Sequence, residues 1–268
     1  MADWSHYAGR TAMVTGAGDG IGKMLAQNLA AAGMRVCVQD IRAEAAQAVA
    51  EDIGDRAFAF AFDISDRDAT ANAADRLISD HGPLAMLWIN AGVGVGASLL
   101  EGKEHQVRWA YDVNVLGAIW TAQCFVPLLE GKPSHVGITA STAALRPPEG
   151  AFPLYAATKH GTMAVAEALR GELSAKQIET TILCPGLLNT EIWDGAKARP
   201  ERYGGERHMD PKIAGMWREA KTPDAMWPDI ERVMLSGGGT LTCATDDGDT
   251  RAAMQERTQG FVDGLVEI

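Results

Sequence analysis

The chain has 268 residues, with 24 Lys and Arg against 35 Asp and Glu and a formal net charge of −11. A chain of this length can bury roughly three quarters of its unfolded surface in one α/β domain and needs no disulfide or metal staple. The acidic balance repels a phosphate backbone, which excludes nucleic acid as a partner.

In chain order, 11–15 reads as a strand and 21–32 as a helix, then 35–39 as a strand and 43–52 as a helix, then 57–62 as a strand and 66–80 as a helix. Strands follow over 86–90, 135–139, 180–184 and 240–245, separated by long helices near 104–129 and 155–175. The strand runs are apolar throughout rather than alternating, the pattern of strands covered on both faces. Their alternation with helices predicts an α/β fold: a doubly wound, seven-stranded parallel sheet in one domain over 1–268. The segment 191–228 breaks the rhythm. It is charged, holds Pro200, Pro211, Pro223 and Pro228, and spaces Trp193, Tyr203, Met209, Met216, Trp217, Met226 and Trp227 through its length. Aromatics at that density in a long insertion predict a lid that closes over something apolar. A helical extension is expected over 249–268. Cys37, Cys124, Cys184 and Cys243 fall in apolar runs and read as buried thiols, and no His or Cys shows metal-ligand spacing. Residues 1–5 carry Asp3 and no apolar run, and no stretch reaches the ~18 apolar residues of a membrane span. A cytoplasmic protein with neither metal nor membrane partner is expected.

The first strand ends in Thr15-Gly16-Ala17-Gly18-Asp19-Gly20-Ile21-Gly22, directly ahead of a helix. Glycine permits the tight turn and close backbone approach, and the N–H groups and dipole of the helix start attract an anion, so the turn reads as a pyrophosphate cradle. The spacing is G-x-x-x-G-x-G at Gly16, Gly20 and Gly22, not G-x-G-x-x-G. Asp40 closes the second strand, where a Rossmann-type fold places a carboxylate on the adenine ribose hydroxyls. The same carboxylate repels a 2′-phosphate and favours NAD over NADP, with Arg42 nearby to soften that choice. Tyr155 and Lys159 stand four residues apart at the head of a predicted helix and share one face. A neighbouring ammonium stabilises a phenolate, so Tyr155 is expected to have a lowered pKa and to act as a general acid/base.

Gly16, Gly20, Gly22, Asp63, Asn90-Ala91-Gly92, Asn114, Ser141, Tyr155 with Lys159, and Pro185-Gly186 with Thr190 occur in the order and approximate spacing of the classical short-chain dehydrogenase/reductase family, which residues 8–192 resemble. The resemblance implies a single-domain Rossmann fold and an oxidoreductase of secondary alcohols and ketones. In it Tyr155 exchanges a proton with the substrate oxygen and Lys159 holds the nicotinamide ribose. Ser141 bonds the substrate oxygen, and Asn114 holds a water feeding a relay to Lys159. Thr142 stands at the family's usual distance from Tyr155 and Ser141 one residue further, so either hydroxyl could serve. Asp63 would meet the adenine amine and Thr190 the carboxamide. Asp19, Ile21, Ile41, Ile64, Pro185, Gly186 and Leu188 complete the implied coenzyme site. Ala144, Leu145, Phe152, Leu187, Ile192 and Trp193, with Trp217 and Trp227 from the lid, are the implied walls of a pocket for a bulky aryl or alicyclic alcohol. A homodimer or homotetramer is expected, built on Trp109, Trp120, Phe125, Met163 and Leu169 of the two long helices. Two alternatives stand beside this reading: a catalytically silent NAD-binding sensor or scaffold, and a reductase of enoyl or imine groups.

Overall fold

The computed structural model describes residues 4–146, 152–207, 219–243 and 248–263. Its seven strands are β1 (Thr11–Thr15), β2 (Arg35–Asp40), β3 (Ala57–Ala61), β4 (Leu84–Ile89), β5 (His135–Thr139), β6 (Glu179–Pro185) and β7 (Gly238–Cys243). They form one parallel sheet in the order β3-β2-β1-β4-β5-β6-β7. The helices are α1 (Gly20–Ala31), α2 (Ala43–Ile53), α3 (Arg67–His81), α4 (Glu104–Tyr111), α5 (Gly117–Phe125), α6 (Pro153–Ala175), α7 (Trp227–Leu235) and α8 (Gly248–Asp263). None of the described helices is long and apolar enough to cross a membrane.

Successive strand residues point to opposite faces, so unbroken apolar runs feed two separate cores. Val14, Val36, Val38, Met86 and Trp88 pack with α1 and α7 through Leu25, Leu29, Ile230 and Met234. Met13, Cys37, Leu87, Ile89, Val136 and Ile138 pack on the other face with Leu77, Phe125 and Ala166. Trp88 is fully buried because β5 carries Gly137 opposite it, where a Cβ would sit 2.3 Å from the indole. Its Nε1 donates to Thr139 Oγ1 at 3.0 Å. The Asp66 side chain accepts from Ala69 N and starts α3 one residue later than the helical pattern alone suggests.

Three expectations change. The helix read over 104–129 is interrupted by a π-type turn at Asp112–Leu116, in which Gly117 N reaches back to Asp112 O. The Thr162 hydroxyl takes the Asn114 carbonyl at 2.8 Å, which gives that carbonyl a partner outside the helix. β7 begins at Gly238 rather than 240, because Gly238 and Gly239, which read as turn residues, pair with Thr180 and Thr181. The residues 244 and 245 assigned to that strand lie outside the described residues. Of the side chains expected at an intersubunit face, Trp109 and Phe125 are buried within the chain and Met163 and Leu169 pack partly on its core, while Trp120 lies under Arg67.

The strand order reverses between β1 and β4. Parallel α/β sheets open a crevice at that switch point, outside the carboxyl ends of the strands. The Asn90 side-chain amide spans it, donating to Thr15 O at 3.0 Å and Gly16 O at 3.3 Å.

Candidate active site

A cavity of about 450 Å³ runs along these carboxyl ends, lined by residues from the glycine turn, β2, 62–64, 90–93, 139–146, α6 and 185–198. Gly16 and Gly20 adopt φ of +62° and +54° there. Gly22 does not line the cavity. A Cβ on it would lie 2.1 Å from Gly16 O, so it serves the packing of α1 against the turn. The Asp19 side chain makes no cap bond to α1, and the first helical bond is Lys23 N to Asp19 O. The preceding N–H groups therefore have no intrahelical acceptor, and Gly20 and Ile21 carry them into the cavity wall. That arrangement fits a pyrophosphate.

Asp40 is held rigidly. Its Oδ2 accepts from Gly18 N at 3.0 Å, and its Oδ1 from Arg42 N at 2.9 Å and Arg42 Nε at 3.3 Å. A carboxylate has about four acceptor positions, so capacity for ribose hydroxyls remains. Gln39, unremarked in the sequence, braces the turn by accepting from Gly16 N and donating to Phe62 O. Ile41 and Ile64 flank Asp63 at the cavity. Asp63 accepts from Ser65 through Oδ1 and from Arg202 Nη2 at 2.7 Å through Oδ2.

At the other end, Pro153 opens α6 and puts Tyr155 in its first turn, with Lys159 one turn on. Ser141 stands beside the Tyr155 phenol, with its Oγ donating to Pro185 O at 3.4 Å and accepting from Ala143 N at 3.1 Å. Thr142 lines the cavity next to it. Lys159 Nζ donates to Thr139 O at 3.2 Å and lies 5.9 Å from the Tyr155 ring centre. Burial pushes the Tyr155 hydroxyl up to about 12, with the neighbouring Ser141 hydroxyl pulling partly back. The direction is opposite to the expected lowering by Lys159. Both groups are buried at the cavity wall, and burial also brings Lys159 down to about 8.

Asn114 stands behind the cavity wall. Its Oδ1 accepts from Val93 N at 2.7 Å, and its Nδ2 donates to Val93 O and Thr158 Oγ1. The side chain expected to hold a water fixes the 90–93 loop through these bonds. Gly92 fits between it and the lysine: a Cβ there would lie 3.1 Å from Asn114 Oδ1 and 3.2 Å from Lys159 Nζ.

Trp193 roofs the catalytic end, 5.0 Å from Tyr155 and 4.4 Å from Phe152 between ring centres. Gly94 and Gly96 make room for these rings, since a Cβ on either would come within 3.0 Å of Trp193 or Phe152. Leu187 and Ile192 line the cavity with them, as do Pro185, Gly186, Leu188 and Thr190 nearer the turn. Ala144 and Leu145 do not line it: Leu145 is drawn into the core beside the sheet, and Ala143 and Arg146 face the cavity instead. Sequence spacing cannot tell which residues of a short 3-10 turn, here Thr142–Ala144, face inward. Arg146 is held by Thr250 of α8 at 2.7 Å. Trp109, expected at an intersubunit face, also lines the cavity, as does Val113.

The segment expected to be a lid divides. Its first part crosses the cavity in 3-10 turns Glu191–Ala198 and Glu201–Tyr203, tied down by Arg202 on Asp63, Tyr203 Oη on Asp112 and Arg199 over Trp109. Its last part packs elsewhere: Trp227 stacks on Trp4 at 6.0 Å, and Met226 is in the core. Trp227 is therefore no pocket wall. Met209, Met216 and Trp217 lie outside the described residues.

Residues 10–201 match the family model described as short chain dehydrogenase. The chain is 34% identical over 230 residues to 1-deoxy-11-beta-hydroxypentalenate dehydrogenase of Streptomyces exfoliatus, across 83% of each protein. It is 30% identical over 190 residues to estradiol 17-beta-dehydrogenase 11 of Macaca fascicularis, across 68% of this chain and 63% of that one. In fold it is similar to a short chain dehydrogenase/reductase of Burkholderia phymatum solved in complex with NAD, with a TM-score of 0.86 at 22% identity over 98% and 99% of the two chains.

Proposed function

The chain belongs to the short-chain dehydrogenase family, and on that premise we propose that it is an NAD(H)-dependent oxidoreductase interconverting a bulky hydrophobic secondary alcohol and its ketone, with Tyr155 as general acid/base. The observation that carries this reading is the buried Tyr155 beside Ser141, under Trp193 and Phe152, at one end of a cavity whose other end carries the glycine turn and Asp40. The glycine turn would hold the pyrophosphate, Asp40 the adenine ribose, Asp63 the adenine edge, and Lys159 the nicotinamide ribose. When bound, the nicotinamide gives or accepts the hydride. Ser141 orients the substrate oxygen. Burial holds Tyr155 as the phenol, which donates its proton to a ketone oxygen; in the opposite direction the phenol first loses that proton, and the phenolate oxygen then receives the alcohol proton.

The residues 191–207 act as a lid whose apolar side, Ile192 and Trp193, excludes water around the phenol. That chemistry favours a ring-bearing alcohol over a sugar. The two relatives named above act, by their names, on a hydroxypentalenate and on estradiol. A screen of hydrophobic secondary alcohols with NAD, following NADH absorbance, tests the reading. NADH formation that grows with the apolar area of the alcohol is the expected result. Coenzyme binding with no turnover on any alcohol or ketone would replace it with the silent-scaffold reading. We also propose a homodimer, with Tyr111 and Leu116, both exposed on the α4–α5 region, inside its interface. Sedimentation at micromolar concentration should give the mass of at least two chains.

A further inference from the structure

Three separated stretches of chain bring charged side chains to the adenosine end of the cavity: Asp19 from the glycine turn, Asp40 and Arg42 after β2, and Glu191 and Lys197 from the 3-10 helix after Thr190. All five line the cavity. Arg42 Nε is 3.3 Å from Asp40 Oδ1, and its Nη1 is 3.7 Å from Glu191 Oε2. Glu191 Oε2 also pairs with Lys197 Nζ. One guanidinium thus separates Asp40 from a second carboxylate, and that second carboxylate engages both cations at the site.

We propose that Glu191 is a coenzyme-selectivity residue, acting from the lid by occupying the two cations that would otherwise neutralise a 2′-phosphate on the adenine ribose. The inference rests on the dinucleotide reading of this cavity and deepens it. Asp40 alone leaves Arg42 Nη1 and the Lys197 ammonium available to a phosphate, and a guanidinium beside an ammonium is a good phosphate site. Glu191 fills that site with a carboxylate and adds a negative charge where the phosphate would stand. Its side chain is 54% exposed, and an ion pair that open contributes little to folding, so its removal acts on binding. Desolvation and the nearby Arg42 charge lower the Lys197 pKa, in keeping with a cation pressed into this corner.

The test compares two nucleotides that differ only in the 2′-phosphate, adenosine 5′-monophosphate and adenosine 2′,5′-bisphosphate, by calorimetric titration without turnover. In Glu191→Gln the preference for the bisphosphate should rise about tenfold, as expected for removing one charge a few ångströms from a phosphate. The rise should shrink in high salt. Glu191→Asp, which keeps the charge, should stay near the wild-type ratio. Adding Lys197→Met to Glu191→Gln should remove most of the gain. A ratio in Glu191→Gln within twofold of wild type overturns the proposal, as does a double variant that keeps the whole gain. If a Glu191→Gln protein fails to fold, Glu191→Ala and Glu191→Lys are read on the same ratio. A wild-type protein that binds neither nucleotide overturns the dinucleotide reading itself, a result distinct from an unchanged ratio.

Discussion

At the Tyr155 end of the cavity Ser141, Tyr155 and Lys159 are all buried and Tyr155 meets Trp193, which packs on Phe152, whereas at the Asp40 end Arg42, Lys197 and Arg202 stand partly in water and pair with the carboxylates of Asp40, Glu191 and Asp63. The same lid segment covers both. Where water is removed, desolvation sets the protonation states: it raises Tyr155 to about 12 and lowers Lys159 to about 8. Where water remains, opposite charges are screened and add little stability, so their effect is on which ligand is accepted. Changes at the first end should therefore alter rate and stability, and changes at the second should alter selectivity.

The largest effect is expected from Tyr155→Phe, which removes the phenol oxygen beside Ser141 and leaves the ring under Trp193. General acid/base catalysis contributes typically 10²–10⁴-fold, so kcat should fall by about 10³-fold while NADH still binds. Stopped-flow or steady-state absorbance reads it, and turnover within about tenfold of wild type breaks the assignment of this end as catalytic.

The next effect is a pH dependence of stability. Burial brings Lys159 in the folded chain to about 8 from its ordinary 10.5, so between those values the unfolded chain binds more protons than the folded one. Stability gains from this residue as pH rises through that window, by about 3 kcal/mol at 1.36 kcal/mol per pKa unit. Denaturant titrations from pH 7 to 10 on wild type and Lys159→Met should differ by a trend of that sign. Identical pH trends in the two proteins would mean that Lys159 is not desolvated.

Asp40→Ala should act at the other end and on selectivity alone. The ratio of kcat/KM for NAD to that for NADP should fall by about ten- to a hundredfold, the loss of ribose hydrogen bonds and of one repelling charge. A wild type that already prefers NADP, or an unchanged ratio, would remove the contrast between the two ends.

The smallest effect, about tenfold or less, is expected for Trp193→Ala. It opens the roof over Tyr155, so KM should rise for a ring-bearing alcohol and change little for a small one. Equal losses on both substrates would show that Trp193 holds the phenol in place rather than the substrate.

Sequence spacing alone located the strands, the glycine turn, Asp40 and the Tyr155–Lys159 pair, because each depends on a local signal: an apolar run, a turn that only glycine fits, or two residues one helical turn apart. It also placed a break in the rhythm at 191, where the segment that crosses the cavity begins. It could not divide that segment, since Trp193 and Trp227 look alike in sequence. Trp193 meets Phe152 and Tyr155, while Trp227 meets Trp4, and neither partner is near in the chain. The π-type turn at Asn114 was equally hidden, for it depends on Thr162 reaching across from α6.

By itself, then, the sequence determined a parallel α/β sheet, the position of the glycine turn at the cavity and the identity of the phenol and ammonium, all carried by short-range pattern and steric permission. Only the tertiary structure decided that burial would raise the Tyr155 pKa, that Asn114 would clamp Val93, that Arg146 rather than Ala144 would face the cavity, and that Glu191 would lie across a guanidinium from Asp40. Desolvation and ion pairing depend on what stands within a few ångströms in space, and those neighbours come from parts of the chain as far apart as residues 40 and 191.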